Sequence, residues 1–288
     1  MAIHYPDILS EANERRPFTY SAKDAMLYAL SIGMGEDEGG LPFVYEKALQ
    51  LVPTAVTVLS GGIMPLLTPE PGLRKSTLDF PKVVHGEQKI VIHRTLQPSD
   101  DLFTHTRTIG VADKGEGRGA VIVTETRWTD AEGADVASLV NTIFARGDGG
   151  FGGPRSDAAQ AAEQPARAPD LSVRLPTRCD QALLYRLNGD GNPLHADPAG
   201  AAPVGFPQPV MHGLCTFGMT RRAILQGVLG YDSSRIFSHD ARFTAPLFPG
   251  ETLRVDLWVD GDIIDFQATA VERDVAVIRN GRTTLRPA

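Results

Sequence analysis

The sequence predicts an α+β protein made of two similar halves, each a helical segment followed by a meander of antiparallel strands. Three observations carry this. The stretch "GPRSDAAQAAEQPARAPD", which contains residues 154–170, is rich in Ala, Pro and charge and lacks aromatic and β-branched residues, the composition of a linker. On both sides of it the hydrophobic pattern runs from helical spacing to alternation. Short stretches of the first half also recur in the second. The halves are therefore 1–153 and 171–288, and 42% hydrophobic content suffices for a sizeable core.

In the first half "FVYEKALQLV" (43–52) has helical spacing. "QKIVIHRTL", "THTRTIGVAD", "GAVIVTETRWTD" and "ADVASLVNTIFAR" then read as strands separated by turn residues. In the second half "QALLYRLNG" (181–189) and "MHGLCTFGMTRRAILQGVL" (211–229) read as helical, and "HDARFTAPL", "ETLRVDLWVDG", "IIDFQATAVERD" and "VAVIRNGRTTLR" as strands. "DAMLYALSIG" aligns with "QALLYRLNGD", matching Ala25, Leu27, Tyr28 and Leu30 to Ala182, Leu184, Tyr185 and Leu187. Leu96, Pro98 and Leu102 share the spacing of Leu247, Pro249 and Leu253. On these windows alone chance and duplication both stand. The first alignment sets Asp190 opposite Gly33, Asn192 opposite Gly35 and His195 opposite Glu38, so only the second half carries a polar constellation.

A net charge of −7 and a pI near 5.5 argue against a nucleic-acid partner, so any polyanionic ligand must be met by local cations. Cys179 and Cys215 sit in no metal-ligand or redox spacing, which points to a reducing compartment and against zinc. "MAIHYPDILSEANERR" is too polar for a secretory signal, and no apolar run approaches the roughly 18 residues of a membrane span. The expectation is a cytoplasmic protein without a membrane partner.

"GDGGFG" (147–152) satisfies G-x-G-x-x-G after a strand-like run, but Pro154 and the linker follow where a dinucleotide site needs a helix. A glycine-rich exit from the first half is the better reading. "RGD" (146–148) has no supporting context. "NGDGNPLHADP" (188–198) is richer: Asp190 follows a helix, Asn192 lies two residues on, and Pro193 stiffens the path to His195. A carboxylate and an imidazole aimed at one water make an acid/base pair, with the Asn192 amide able to hold that water. A capped turn with an Asx motif and an ordinary buried histidine explains the loop equally well. Downstream, His212 and Gly213 stand near the start of a long apolar helix, where unpaired N–H groups and a partial positive charge are available. A glycine there lets a carbonyl oxygen approach the backbone N–H, as an enolate-forming thioester requires, although Gly213 could equally serve helix packing alone.

"YRLNGDGNPLHADPAGAAPVGFPQPVMHGLCTFG" resembles the signature of the hydratase 2 family, the MaoC-like (R)-specific enoyl-CoA hydratases. "DAMLYALSIGMG", "FVYEKALQLVPT", "HGEQKIVIHRTL", "ADKGEG" and "NTIFARGDGGFGG" resemble N-terminal segments of that family in the same order. The resemblance implies a double hot-dog fold in which each half is a long helix wrapped by an antiparallel sheet and only the C-terminal half is catalytic. It implies Asp190 and His195 as the catalytic pair, Asn192 as their assistant, and the Gly213 N–H as the oxyanion hole. His85, Gly86, Lys114 and Phe243 would bind the thioester, Lys114 answering the phosphates if it is not simply a solvated turn lysine. Asn188 and Gly191 depart from the expected Ser and larger residue. The ending "LRPA" does not match a peroxisomal address, and the expectation is an enzyme without an attached dehydrogenase or sterol-carrier domain.

The implied reaction is reversible hydration of trans-2-enoyl-CoA to (3R)-3-hydroxyacyl-CoA, with an acyl-CoA partner, no cofactor, no metal and a homodimeric assembly. The alternatives are a 3-hydroxyacyl-thioester dehydratase of fatty-acid synthesis, and an acyl-CoA-binding or thioesterase-like hot-dog protein without hydratase activity. An intact acid and base argue against the last.

Overall fold

The computed structural model describes residues 3–61, 78–79, 82–155 and 164–287. In the N-terminal half β1 (Arg16–Tyr20) leads into helix α1 (Ala22–Ser31) and, after turns, helix α2 (Val56–Leu59). The meander β2 (Val83–Ile92), β3 (Asp100–Asp113), β4 (Ala120–Thr129) and β5 (Asp135–Ala145) follows. The C-terminal half repeats the order: β6 (Leu171–Pro176), α3 (Gln181–Tyr185), the long helix α4 (Gly213–Gly227), then β7 (Ile236–Phe243), β8 (Thr252–Asp260), β9 (Ile263–Ala270) and β10 (Val275–Leu285).

One ten-stranded sheet joins them in the order β1-β3-β4-β5-β2-β7-β10-β9-β8-β6. Read inward from either edge the two halves have the same order, each strand of the first matching the strand five later in the second. That is the topology of a duplication, and it makes the protein a double hot-dog. The halves meet where β2 pairs antiparallel with β7, Lys89 opposite Asp240 and Val91 opposite Ser238. The strands alternate buried and accessible residues, most regularly in β4, so one face of the sheet closes on the helices. The segment 164–170 docks on β8: the Arg167 carbonyl accepts from Trp258 Nε1 at 2.8 Å and Asp170 Oδ2 accepts the Val259 N–H at 2.8 Å. Within the expected linker, residues 156–163 lie outside the described residues.

Every strand expected from the sequence is present, and β1 and β6 are additional. Both are short edge strands of five and six residues that contain proline, too brief for alternation to mark them. The helix expected over 43–52 is not formed. The segment instead follows a 3-10 turn (Glu38–Phe43), and Ala48 adopts φ +59°, outside any right-handed helix. Burial of Phe43 at one end and of Leu51 and Val52 at the other anchors the segment, while Tyr45 to Ala48 face solvent, so the apolar spacing was never one stripe. The two halves also differ in their central helices. α4 runs for 15 residues, whereas α2 has four, set between a 3-10 turn opened by Pro53 and Gly61 at φ +94°.

α1 starts at a reciprocal cap. Ser21 Oγ accepts the Asp24 N–H, and Asp24 Oδ2 accepts the Ser21 N–H at 2.8 Å. α1 packs on α3, and the aligned Tyr28 and Tyr185 meet there edge-on, centroids 6.1 Å apart and both fully buried. Asn188, a departure from the family pattern, donates through Nδ2 to Ser31 Oγ at 3.0 Å and ties the end of this seam. α4 comes close because Gly218 has no side chain: a Cβ there would lie 2.6 Å from Tyr28 Oη and 2.7 Å from Ile32 Cγ2. Gly218→Ala is therefore expected to cost about 1–3 kcal/mol, read as a lower denaturation midpoint with an unchanged far-UV spectrum.

Candidate active site

The loop after α3 is assembled from local hydrogen bonds. Gly189, at φ +108°, reverses the chain. Asp190 Oδ1 then accepts the Asn192 N–H at 3.1 Å, and Asn192 Oδ1 accepts the Leu194 N–H at 3.0 Å. Pro193 opens a 3-10 turn (Pro193–His195) that carries His195 inward until the residue is 9% exposed. The Asn192 side chain thus forms the Asx turn, and only its Nδ2 remains to offer a water. The second segment of the site is 210–213, which leads into α4. Val210 accepts a hydrogen bond from His195 Nδ1 at 2.8 Å, and the Met211 N–H donates to Leu247 at 2.8 Å. His212 then sits as the residue preceding α4, with its own carbonyl accepting from Cys215 and Thr216.

These two segments bring Asp190, His195 and His212 together. The two imidazoles stack with centroids 3.7 Å apart and planes 26° from parallel, and His212 Nε2 lies 3.9 Å from Asp190 Oδ2. Tyr185 backs His212 with a ring separation of 4.8 Å. The Asp190 side chain is 34% exposed, so the carboxylate stands at the rim and the rings behind it. Burial lowers the pKa of His195, a change only partly opposed by Val210 and by the neighbouring Asp190. Because a carbonyl can only accept, the proton of neutral His195 resides on Nδ1, which leaves Nε2 with a lone pair. Burial, reinforced by His195, holds His212 neutral, its pKa down to about 2.

His212 is the residue that sequence reasoning passed over. Its one signal was position: helices prefer Ser, Thr, Asp or Asn before their first residue, and this histidine makes no side-chain cap bond. Gly213 is the first residue of α4, so its N–H has no intrahelical acceptor. A Cβ on Gly213 would lie 3.4 Å from the Phe243 ring, and the His85 ring centroid is 4.9 Å from that of Phe243. β2 bulges at Gly86, where the register with β5 slips between His85 and Glu87 and a Cβ would lie 3.2 Å from the Thr142 carbonyl oxygen. His85, whose Nε2 donates to the Glu87 carbonyl at 3.1 Å, is pulled down to about 4 by burial. His85, Gly86, Phe243 and Gly213 thus form one wall reaching from the N-terminal half to the start of α4.

Lys114 is not in that wall. It follows Asp113, at the same end of the sheet as the start of β2 but three strands away, about 14 Å by strand spacing. The glycine-rich "GDGGFG" is bound up with this loop. Asp113, buried at the end of β3, accepts the N–H groups of Gly150 at 2.7 Å and of Gly115 and Gly152 at 2.8 Å. Those bonds, that of Gly150 foremost, hold its carboxyl below the usual range. The motif cradles a carboxylate of its own chain.

Among the described residues, Asp190, His195 and His212 are the one group with the composition of a metal site, two imidazoles and a carboxylate. With the two rings stacked 3.7 Å apart, a point at a metal–nitrogen distance of about 2.1 Å from both lies far out of the ring planes, and a point at a hydrogen-bond distance of about 2.8 Å lies less so. One nitrogen of His195 is also committed to Val210. The geometry suits hydrogen bonds to a water better than bonds to an ion.

A double hot-dog with a carboxylate and two imidazoles gathered beside a helix N-terminus in one half defines the class. Comparison with known proteins agrees: residues 18–147 match the MFE-2 hydratase 2 N-terminal domain and residues 160–281 the MaoC like domain. The chain belongs to the MaoC-like hydratase 2 family. It is 39% identical over 271 residues to enoyl-CoA hydratase ChsH3 of Mycobacterium tuberculosis, the alignment covering 92% of each chain. It is 38% identical over 259 residues to 3-hydroxyacyl-thioester dehydratase Y of the same organism, covering 88% of this chain and 87% of that one. The crystal structure of a MaoC-like dehydratase from Phytophthora capsici superposes with a TM-score of 0.87 at 33% identity, covering 99% of this chain and all of that one.

The Asp113 cradle yields a direct test. Asp113→Ala frees the amides of Gly115, Gly150 and Gly152, and their hydrogen exchange, followed by NMR, is expected to accelerate about tenfold or more while the exchange of α4 stays unchanged.

Proposed function

We propose that this protein is a hydro-lyase that adds water reversibly across the double bond of trans-2-enoyl-CoA, giving (3R)-3-hydroxyacyl-CoA. The observation that carries the reading is the placement of an Asp190 carboxylate oxygen within 4.8 Å of a ring nitrogen of His195, whose Nε2 is an open acceptor, beside the unpaired N–H of Gly213. Asp190 and His195 bind the water. One takes its proton as the oxygen attacks C3, and the pair returns a proton to C2. Two coupled groups share these protons, so the roles belong to the pair. The negative charge on the thioester oxygen rests on the Gly213 N–H. The site needs no cofactor and no metal on this reading. His85, Gly86 and Phe243 line the approach of the acyl thioester, and Lys114 meets the phosphates farther out.

The reverse flux, dehydration of a 3-hydroxyacyl thioester, uses the same groups and is kept as a second reading because one 38%-identical relative carries that name. The two cysteines are unpaired, in keeping with a cytoplasmic setting, and no helix among the described residues is long and apolar enough to cross a membrane. We place a homodimer within the same proposal, to be checked by light scattering.

Loss of enoyl absorbance on crotonyl-CoA and on a medium-chain enoyl-CoA, with the C3 configuration of the product determined, tests the reaction. Wild type is expected to give R product, and Asp190→Asn and His195→Gln each to reduce its formation by a factor of about a hundred or more. Release of CoA without loss of enoyl absorbance contradicts the reading. Because His195 must be uncharged to accept a proton and its pKa is lowered, kcat/KM is expected to stay level as pH falls from 8. It then declines only below the ordinary histidine value of 6.5. A pH profile whose acid limb begins above that value speaks against His195 as the base.

A further inference from the structure

We propose that His212 is a third catalytic group, holding the reacting water as a hydrogen-bond donor. This rests on the hydration reading above. One carboxylate oxygen of Asp190 and one ring nitrogen from each of His195 and His212 all lie within 4.8 Å of one another. Three points so placed share a position no farther from each than 4.8 Å divided by √3, about 2.8 Å, which is hydrogen-bond distance. A single water oxygen at that position reaches all three groups.

The state of His212 supports the role. The residue is 2% exposed, and neither ring nitrogen makes a well-aligned hydrogen bond within the protein, the pull of the Asp190 backbone on the ring being outweighed by burial. A buried, unpaired ring N–H is costly, and a water placed between the three groups satisfies it. Neutral imidazole carries one N–H and one lone pair. Asn192, to which the family resemblance gives the assisting role, keeps its Nδ2 for a water but stands on an exposed turn, with its Oδ1 accepting the Leu194 N–H. His212 lies deeper and is held in place by the rings of His195 and Tyr185.

The step balances. The water gives its two O–H groups to Asp190 and to His195, and one of its lone pairs accepts the His212 N–H. The remaining lone pair forms the bond to C3, and the C2–C3 π pair moves toward the thioester oxygen at Gly213. One water proton passes to the Asp190/His195 pair, and that pair returns a proton to C2. His212 neither gains nor loses a proton; it fixes which lone pair faces C3. An orienting group of this kind acts on the barrier more than on substrate affinity.

The test compares His212→Phe, which keeps a ring for stacking but has no N–H, with His212→Gln and His212→Asn, which restore an N–H near one or the other ring nitrogen. Expected for His212→Phe is a fall in kcat of about 10- to 100-fold with KM within about twofold. One of the amide variants should recover at least about fivefold of that loss, with thermal midpoints of all three near wild type. His212→Phe with wild-type kcat overturns the proposal and leaves the ring a packing role. Parallel losses of kcat and thermal midpoint in all three variants overturn it as well, because the effect is then structural. Should His212→Phe not fold, the amide variants decide alone: the role stands if one keeps kcat within about tenfold of wild type while the other does not, and falls if both lose it equally. Wild type inactive on both enoyl-CoA substrates defeats the reaction itself, an outcome distinct from any of these.

Discussion

The pairing of β2 with β7 is the constraint on which the rest of the molecule depends. Each half of the chain has a sheet whose inner strand would otherwise be an open edge, and the antiparallel ladder from Glu87–Arg242 to Val91–Ser238 closes both at once. It also decides where the chemistry sits. Because β7 ends at Phe243 where β2 bulges at Gly86, the first half delivers His85 and Gly86 to the start of α4 in the second. Without that seam the wall around Gly213 would have only one side.

Duplication gave the two halves the same path and let them diverge in use. The loop after α3 turns at Gly189 and presents Asp190 and His195 to the site. Its counterpart after α1 has Gly33, Gly35 and Glu38 at the aligned positions and has become an anchor for α4 instead. Gly33 leaves room for Arg222, whose Nη1 would lie 2.2 Å from a Cβ there, and Arg222 Nη2 donates to Glu36 Oε2 at 2.7 Å. Asp37 Oδ2 accepts from Tyr231 Oη at 2.6 Å just past the far end of the same helix. One loop carries the acid and base of the proposed reaction, and the other holds the helix at whose N-terminus the proposed oxyanion would rest. An ion pair with one partner 5% exposed positions a helix better than it stabilises a fold, since desolvation offsets much of its attraction.

Much of this was legible in the sequence. The order of helical and alternating segments, the matched Tyr28 and Tyr185, and the spacing of Asp190, Asn192 and His195 were readable because each depends on local period or local turn chemistry. What was not readable is what depends on tertiary placement. The apolar residues of 43–52 have helical spacing, yet Phe43 and Leu51 are buried by separate neighbours and the chain between them turns out to solvent. Glycines 147–152 have the spacing of a phosphate loop, yet they close on Asp113, some 35 residues earlier in the chain. His212 looked like part of the approach to Gly213, and only the fold shows that its ring lies flat on His195.

The different burial of the paired groups gives the site its direction. Were Asp190 as deep as His195, a charged pair would have to outweigh the desolvation of both groups, and a pair satisfied by itself would have little need of water. With Asp190 at the rim and His195 behind it, desolvation dominates and the imidazole stays neutral. A neutral imidazole donating to Val210 has only an acceptor left to offer, and the carboxylate beside it accepts also. Two acceptors side by side call for a partner with two donors, and water is the smallest molecule that supplies them. On the proposed hydration reaction, the loop that opens at Gly189 and closes at Val210 therefore selects its nucleophile through depth as much as through residue type.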